Sequence, residues 1–180
     1  MSLRRLAVPI LALAALAALP AGAAAKDHRL VKVEDRCDPA TFNEALGPGA
    51  CVPVSNSGDL VTFGSLLDTL AREREHDKWR FDRDEVKLDR DESLVVRMTR
   101  GGEFHTFTEV PEFGKGCVPE LNHLVFPDQD PSPAPYCTDE AFATTGIGPG
   151  GQLDVGRLER GTHRFICLIH PWMKTTAKVR

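Results

Sequence analysis

The cysteine count constrains this chain more than any other feature. Five stand at positions 37, 51, 117, 137 and 167, behind an amino end built for export. Arg4 and Arg5 precede an Ala/Leu-rich run from Leu6 to Leu19, then Pro20 and the small residues Ala21-Gly-Ala-Ala-Ala25. A basic start, a short apolar stretch and an A-x-A ending are the marks of a secretory signal peptide. The expectation is an export signal over 1–25 and a periplasmic or extracellular mature protein without a membrane span. An uncleaved anchor is the other reading, since Leu6 to Ala25 is just long enough to span a bilayer.

In an oxidising compartment an odd cysteine count leaves one thiol unpaired. One free thiol and two bridges can be chosen in fifteen ways, so order along the chain is only a guide. The simplest scheme pairs Cys37 with Cys51 and Cys117 with Cys137. Each bridge would close a short loop, worth about 3 kcal/mol for a loop of ~15 residues in the chain-entropy picture. Cys167 would then be the free thiol. Such a thiol is often only a small buried hydrophobe.

Its surroundings suggest a use. Phe165-Ile-Cys167-Leu-Ile-His170-Pro-Trp-Met173 reads C-x2-H-x2-M, so a thiolate, an imidazole and a thioether fall within seven residues. Soft and borderline donors of this kind suit copper, and two histidines, a cysteine and a weak methionine describe an electron-transfer copper site. The second imidazole is best supplied by His105 in Gly101-Gly-Glu-Phe-His105-Thr-Phe-Thr, at the start of an alternating run. Taken singly, each ligand has an ordinary explanation, packing for the methionine and surface for a histidine. Taken together with the unpaired cysteine they form a specific set.

On these residues the chain resembles the cupredoxins, the type 1 blue-copper family. The C-x2-H-x2-M spacing is similar to the short amicyanin-like ligand loop. The layout G-x-H-x-F-x-C-x2-H-P-W-M resembles plastocyanin/azurin-like domains, over roughly 79–180. The resemblance implies one copper ion held by His105, Cys167, His170 and Met173. It also implies electron exchange with a redox partner protein through the more exposed histidine, His170, across an apolar patch that would include Pro171 and Trp172. Two departures stand out: the long insertion between His105 and Cys167, and the segment ahead of Trp79.

The strand pattern can be read without the family. Alternation appears in Val86-Lys-Leu88, Leu94-Val-Val96-Arg-Met98, His105-Thr-Phe107, Phe165-Ile-Cys167 and Ala177-Lys-Val179. Leu94, Val96 and Met98 share one face, which makes Met98 a core residue and not a ligand. Short strands separated by turns suggest a sandwich. Phe63, Leu66, Leu67 and Leu70 recur at helical spacing within 62–75, which predicts an amphipathic helix packed on the strands. Seven prolines between Pro111 and Gly151 break every period, and a loop that long is either functional or disordered. The expected fold is all-β: a cupredoxin-like Greek-key β-sandwich with an amino-terminal helical elaboration (26–78), a disulfide-bridged insertion, and the cupredoxin part over 79–180.

Of the other histidines, His28 and His76 are expected in solvent, His123 on the surface of the insertion, and His163 too far along its strand to join Cys167. A formal net charge of -4 gives no basic field for nucleic acid. The chain contains no H-x-H pair for a multicopper oxidase cluster and no second cysteine in the ligand loop for a dinuclear site. The expectation is therefore a monomeric electron carrier and not an enzyme. Two other readings stay open: a copper storage or delivery protein, and a metal-free cupredoxin-like binding module.

Overall fold

The computed structural model describes residues 27–55 and 58–180; the leader expected over 1–25 lies outside them. In chain order the elements are β1 (His28–Glu34), α1 (Pro39–Leu46), α2 (Phe63–Glu73), β2 (Arg80–Phe81), β3 (Glu85–Leu88), β4 (Ser93–Arg100), β5 (His105–Thr106), β6 (Thr108–Val110), α3 (Pro119–Val125), α4 (Asp139–Thr145), β7 (Gly146–Ile147), β8 (Gln152–Gly156), β9 (Gly161–Ile166) and β10 (Lys174–Val179).

Two four-stranded sheets form the body, ordered β2-β1-β4-β8 and β3-β10-β9-β6, with β5 and β7 as a separate pair. The chain passes repeatedly between the sheets, so neighbouring strands are mostly distant in sequence. β1 runs parallel to β4, and β3 parallel to β10. Alternation dictates which side chains face inward. Val31 and Val33 of β1, Leu94, Val96 and Met98 of β4, Val86 and Leu88 of β3, and Ala177 and Val179 of β10 are all buried. Phe107 stacks on Phe165 with centroids 4.3 Å apart, and Phe81 meets Phe107 edge-on at 5.0 Å.

The expected amphipathic helix is α2. Thr62 caps it by accepting the Ser65 amide, and Leu66 and Leu70 point inward. It ends at Arg74 in the left-handed region (φ 63°). α1 begins at an Asp38 cap followed by Pro39, a pairing that favours helix starts. Phe42 of α1 stacks on Trp79 at 5.9 Å and meets Phe63 of α2 edge-on at 5.2 Å, so the two helices pack against each other with α1 on the Trp79 ring.

Two features differ from the sequence reading. β1 falls inside the segment expected as an elaboration, yet it is an integral strand of the first sheet. His76, expected in solvent, is buried and meets Trp79 edge-on at 5.0 Å. The proline-rich insertion is ordered around Asn122, whose side chain accepts the Gly116 amide and donates to the carbonyls of Gly116 and Pro131. Disulfides join Cys37 to Cys51 and Cys117 to Cys137, and Cys167 is free and buried. Among the described residues no helix is long and apolar enough to cross a membrane.

Candidate metal centre

β5 carries His105, and the β9–β10 connection brings Cys167 and His170 to it and carries Met173. The connection is short because it closes on itself: the Cys167 amide donates to the Met173 carbonyl at 3.0 Å and the Met173 amide to the His170 carbonyl at 2.8 Å. Thr106 ties it to β5. Its hydroxyl oxygen accepts the Leu168 amide at 2.8 Å, and its own amide donates to Cys167 Sγ at 3.4 Å.

Three donor atoms converge. Cys167 Sγ lies 3.7 Å from His105 Nδ1 and 3.6 Å from His170 Nδ1, and the two imidazole centroids are 4.9 Å apart. His105 and Cys167 are fully buried, His170 is 2% exposed and Met173 1%. A cysteine sulfur and two imidazole nitrogens within 4.8 Å of one another could hold a metal ion. Their softness fits copper, while a His2Cys set also accepts zinc. Asp35, Cys37 and Glu103 cluster as closely, but Cys37 is committed to a disulfide and offers no thiolate.

Behind each imidazole stands a buried carboxylate. His105 Nε2 lies 2.8 Å from Asp35 Oδ2, and His170 Nε2 lies 3.7 Å from Glu103 Oε2, which also accepts the Trp79 indole N–H. Asp35 continues the inward face of Val31 and Val33, so strand parity alone turns it toward the core.

The ionisation pattern follows. Burial alone would raise the Asp35 carboxyl, but His105 and the amides of Cys37 and Gly102 hold it below the usual range. Burial would lower His105, yet hydrogen bonds with Asp35 and Cys167 push it up to about 10. Burial would raise the Cys167 thiol, but His105 and His170 hold it well below its ordinary value. Both shifts favour the charged forms of Cys167 and His105. Glu103 goes the other way, pushed up by burial with His170 and His105 opposing.

His170 does not reach the surface as expected. Pro171 is buried and Trp172 is only 8% exposed, its ring edge-on to His170 at 5.2 Å. The imidazole instead borders an apolar cavity of about 430 Å³ walled by Phe42, Phe63, Leu66, Leu121 and Ile169, with Glu103. The cover comes from α1, α2 and the insertion, segments far apart in the chain. Asp35, Glu103, Trp79 and Thr106 were not singled out from sequence. For Asp35 the signal was present in the V-x-V-x-D alternation of Val31, Val33 and Asp35.

No family model matches the chain, and no curated protein matches it. Among solved structures it is similar to a purple cupredoxin from Nitrosopumilus maritimus, at 10% identity over 58% of this chain and 86% of that one, with a TM-score of 0.39. It is also similar to a mutant amicyanin in its reduced Cu(I) form, at 14% identity over 59% and 78%, with a TM-score of 0.36. A third is an auracyanin from Roseiflexus castenholzii, at 22% identity over 56% and 87%, with a TM-score of 0.33.

Proposed function

We propose that the protein is an exported, monomeric electron carrier with one copper ion held by His105, Cys167 and His170 and, more weakly, by Met173. One observation carries this reading: two imidazole nitrogens and a single unpaired thiol, drawn from β5 and from the β9–β10 connection far along the chain, meet in one buried cluster. Bound there, copper would supply a one-electron couple. The chain's own contribution is to keep the donors where they are. Thr106 fixes the connection that carries Cys167, the Met173 carbonyl and amide close that connection, and Asp35 orients His105. A donor set held this tightly changes little between oxidation states, which suits electron transfer to a partner protein.

Storage or delivery would call for donors that a recipient can reach, and burial of all four supports retention instead. A metal-free binding module would have no need of the complete set. The test is addition of Cu(II) to the thiol-reduced protein. An intense visible thiolate-to-copper band is expected, and it should vanish in Cys167→Ser. A Cys167→Ser protein with its full colour would overturn the assignment.

A further inference from the structure

Asp35 is held in a way that a buried turn does not require. Its Oδ1 accepts the amides of Cys37 at 3.1 Å and Gly102 at 3.0 Å; its Oδ2 accepts the amide of Glu103 at 3.2 Å and faces His105 Nε2 at 2.8 Å. Three of these partners are backbone N–H groups, which can only donate. With three backbone donors on its two oxygens, the carboxyl has only His105 Nε2 as a possible acceptor for a proton of its own, and a carboxyl is far more acidic than an imidazolium, so the proton belongs on the nitrogen. His105 therefore presents N–H at Nε2, which makes Nδ1, facing Cys167, the nitrogen that a bound metal would use.

The backbone is shaped to make this possible. Gly101 has φ +111°, and a Cβ there would lie 2.2 Å from Asp35 Cγ. A Cβ on Gly102 would lie 2.1 Å from the Val52 carbonyl oxygen and 3.0 Å from Cys51 Sγ. Only two glycines let the chain lie against the carboxylate on one side and the disulfide on the other. The Cys37–Cys51 bridge closes the opposite wall, and Val52 donates its amide to the Gly102 carbonyl at 2.9 Å. Strand β1, the bridge and the Gly-Gly turn all converge on one side chain.

We propose that Asp35 is a positioning residue that fixes the Nε2–H form of His105 and places a permanent negative charge behind it, biasing the centre toward Cu(II). This inference rests on the copper reading above and gives the amino-terminal segment its role in the site. The physical reason is that a fixed anion one hydrogen bond behind a ligand favours the more highly charged ion, and that an imidazole donating to a carboxylate is the more basic ligand.

The experiment compares the copper-loaded mature chain with its Asp35→Asn variant by voltammetry and by competition for Cu(I) and Cu(II). Asn keeps an oxygen for the backbone amides but removes the charge and the acceptor facing His105. Cu(II) affinity should fall about tenfold relative to Cu(I), which for a one-electron couple is a rise of about 59 mV in reduction potential. A variant that melts earlier but keeps the wild-type potential and affinity ratio would make Asp35 merely structural and overturn the proposal. Nitrogen NMR of the wild-type Cu(I) protein gives a reading that does not depend on the variant folding. The His105 Nε2 proton should be present and slow to exchange, and an unprotonated or freely exchanging Nε2 would also overturn it. A wild-type protein without the thiolate-to-copper band would instead fail the copper reading itself, which separates the two.

Discussion

Thr106 touches Cys167 through its backbone and Leu168 through its side chain: its amide donates to Sγ at 3.4 Å while its hydroxyl oxygen accepts the Leu168 amide at 2.8 Å. The two contacts act on successive residues of the ligand connection. Thr106→Val removes the second, together with the Thr108 hydroxyl's bond to the same oxygen, leaving a buried amide without an acceptor, at a cost of about 1–3 kcal/mol. Thermal melting should show that loss, while the amide donation to sulfur and the visible band persist.

The two buried methionines should separate cleanly. Met173→Gln is expected to retain the colour, because the strong donors remain, and to lower the reduction potential, since an oxygen donor favours Cu(I) less than a thioether does. Met98 faces the core from β4 and is 2% exposed. Met98→Gln should leave the potential alone and destabilise the fold by about 1–3 kcal/mol through an unpaired buried amide. Voltammetry and melting of both variants check the assignment, and a potential that follows Met98 would reverse it.

The insertion depends on its bridge. Cys117 and Cys137 are separated by 20 positions, and the Cys117 amide donates to the Leu168 carbonyl at 2.6 Å. Replacing both cysteines with alanine should cost about 3 kcal/mol. Denaturant unfolding of the metal-free double variant measures it.

His163 gives the fold a pH signature away from the centre. Burial opposes its protonation, but the Glu159 carbonyl and the Glu109 carboxylate raise its pKa; its Nδ1 lies 2.7 Å from Glu109 Oε1. A histidine raised in the folded state stabilises fully below its ordinary value of about 6.5 and loses that contribution as pH rises through the folded value. Wild type should therefore exceed His163→Gln in stability at pH about 5, by less than about 1 kcal/mol for so exposed a pair, and the gap should close at alkaline pH. Denaturation at a series of pH values tests the sign.

Local pattern carried the elements whose signals are short-ranged. The Leu94-Val96-Met98 alternation and the 63–70 helical face appear as β4 and α2, with the inward residues as expected. The C-x2-H-x2-M segment could be singled out because its three candidate donors lie within seven residues. What surrounds the ligands was not, because it is assembled from afar. Asp35 is 70 positions from His105, and Glu103 means nothing until Trp79 and His170 are brought to it. The expectation of an exposed His170 fails for the same reason, since its cover is built from helices that no local rule places there. α1 and α3 each begin with a proline at the first turn, a start signal whose apolar face was too short to weigh.

The depth of the centre has a kinetic side. With His105 and Cys167 fully buried and His170 and Met173 within 2% of it, an ion in solution meets none of the four donors while the cover of α1, α2 and α3 is shut. Uptake must wait for a local opening, and such openings occur with frequencies set by the fold and not by the ligand. The rate of colouring should then level off as copper concentration rises, at a ceiling equal to the opening rate. That makes the helical cover, not the affinity of the donors, the element that decides how quickly the protein fills.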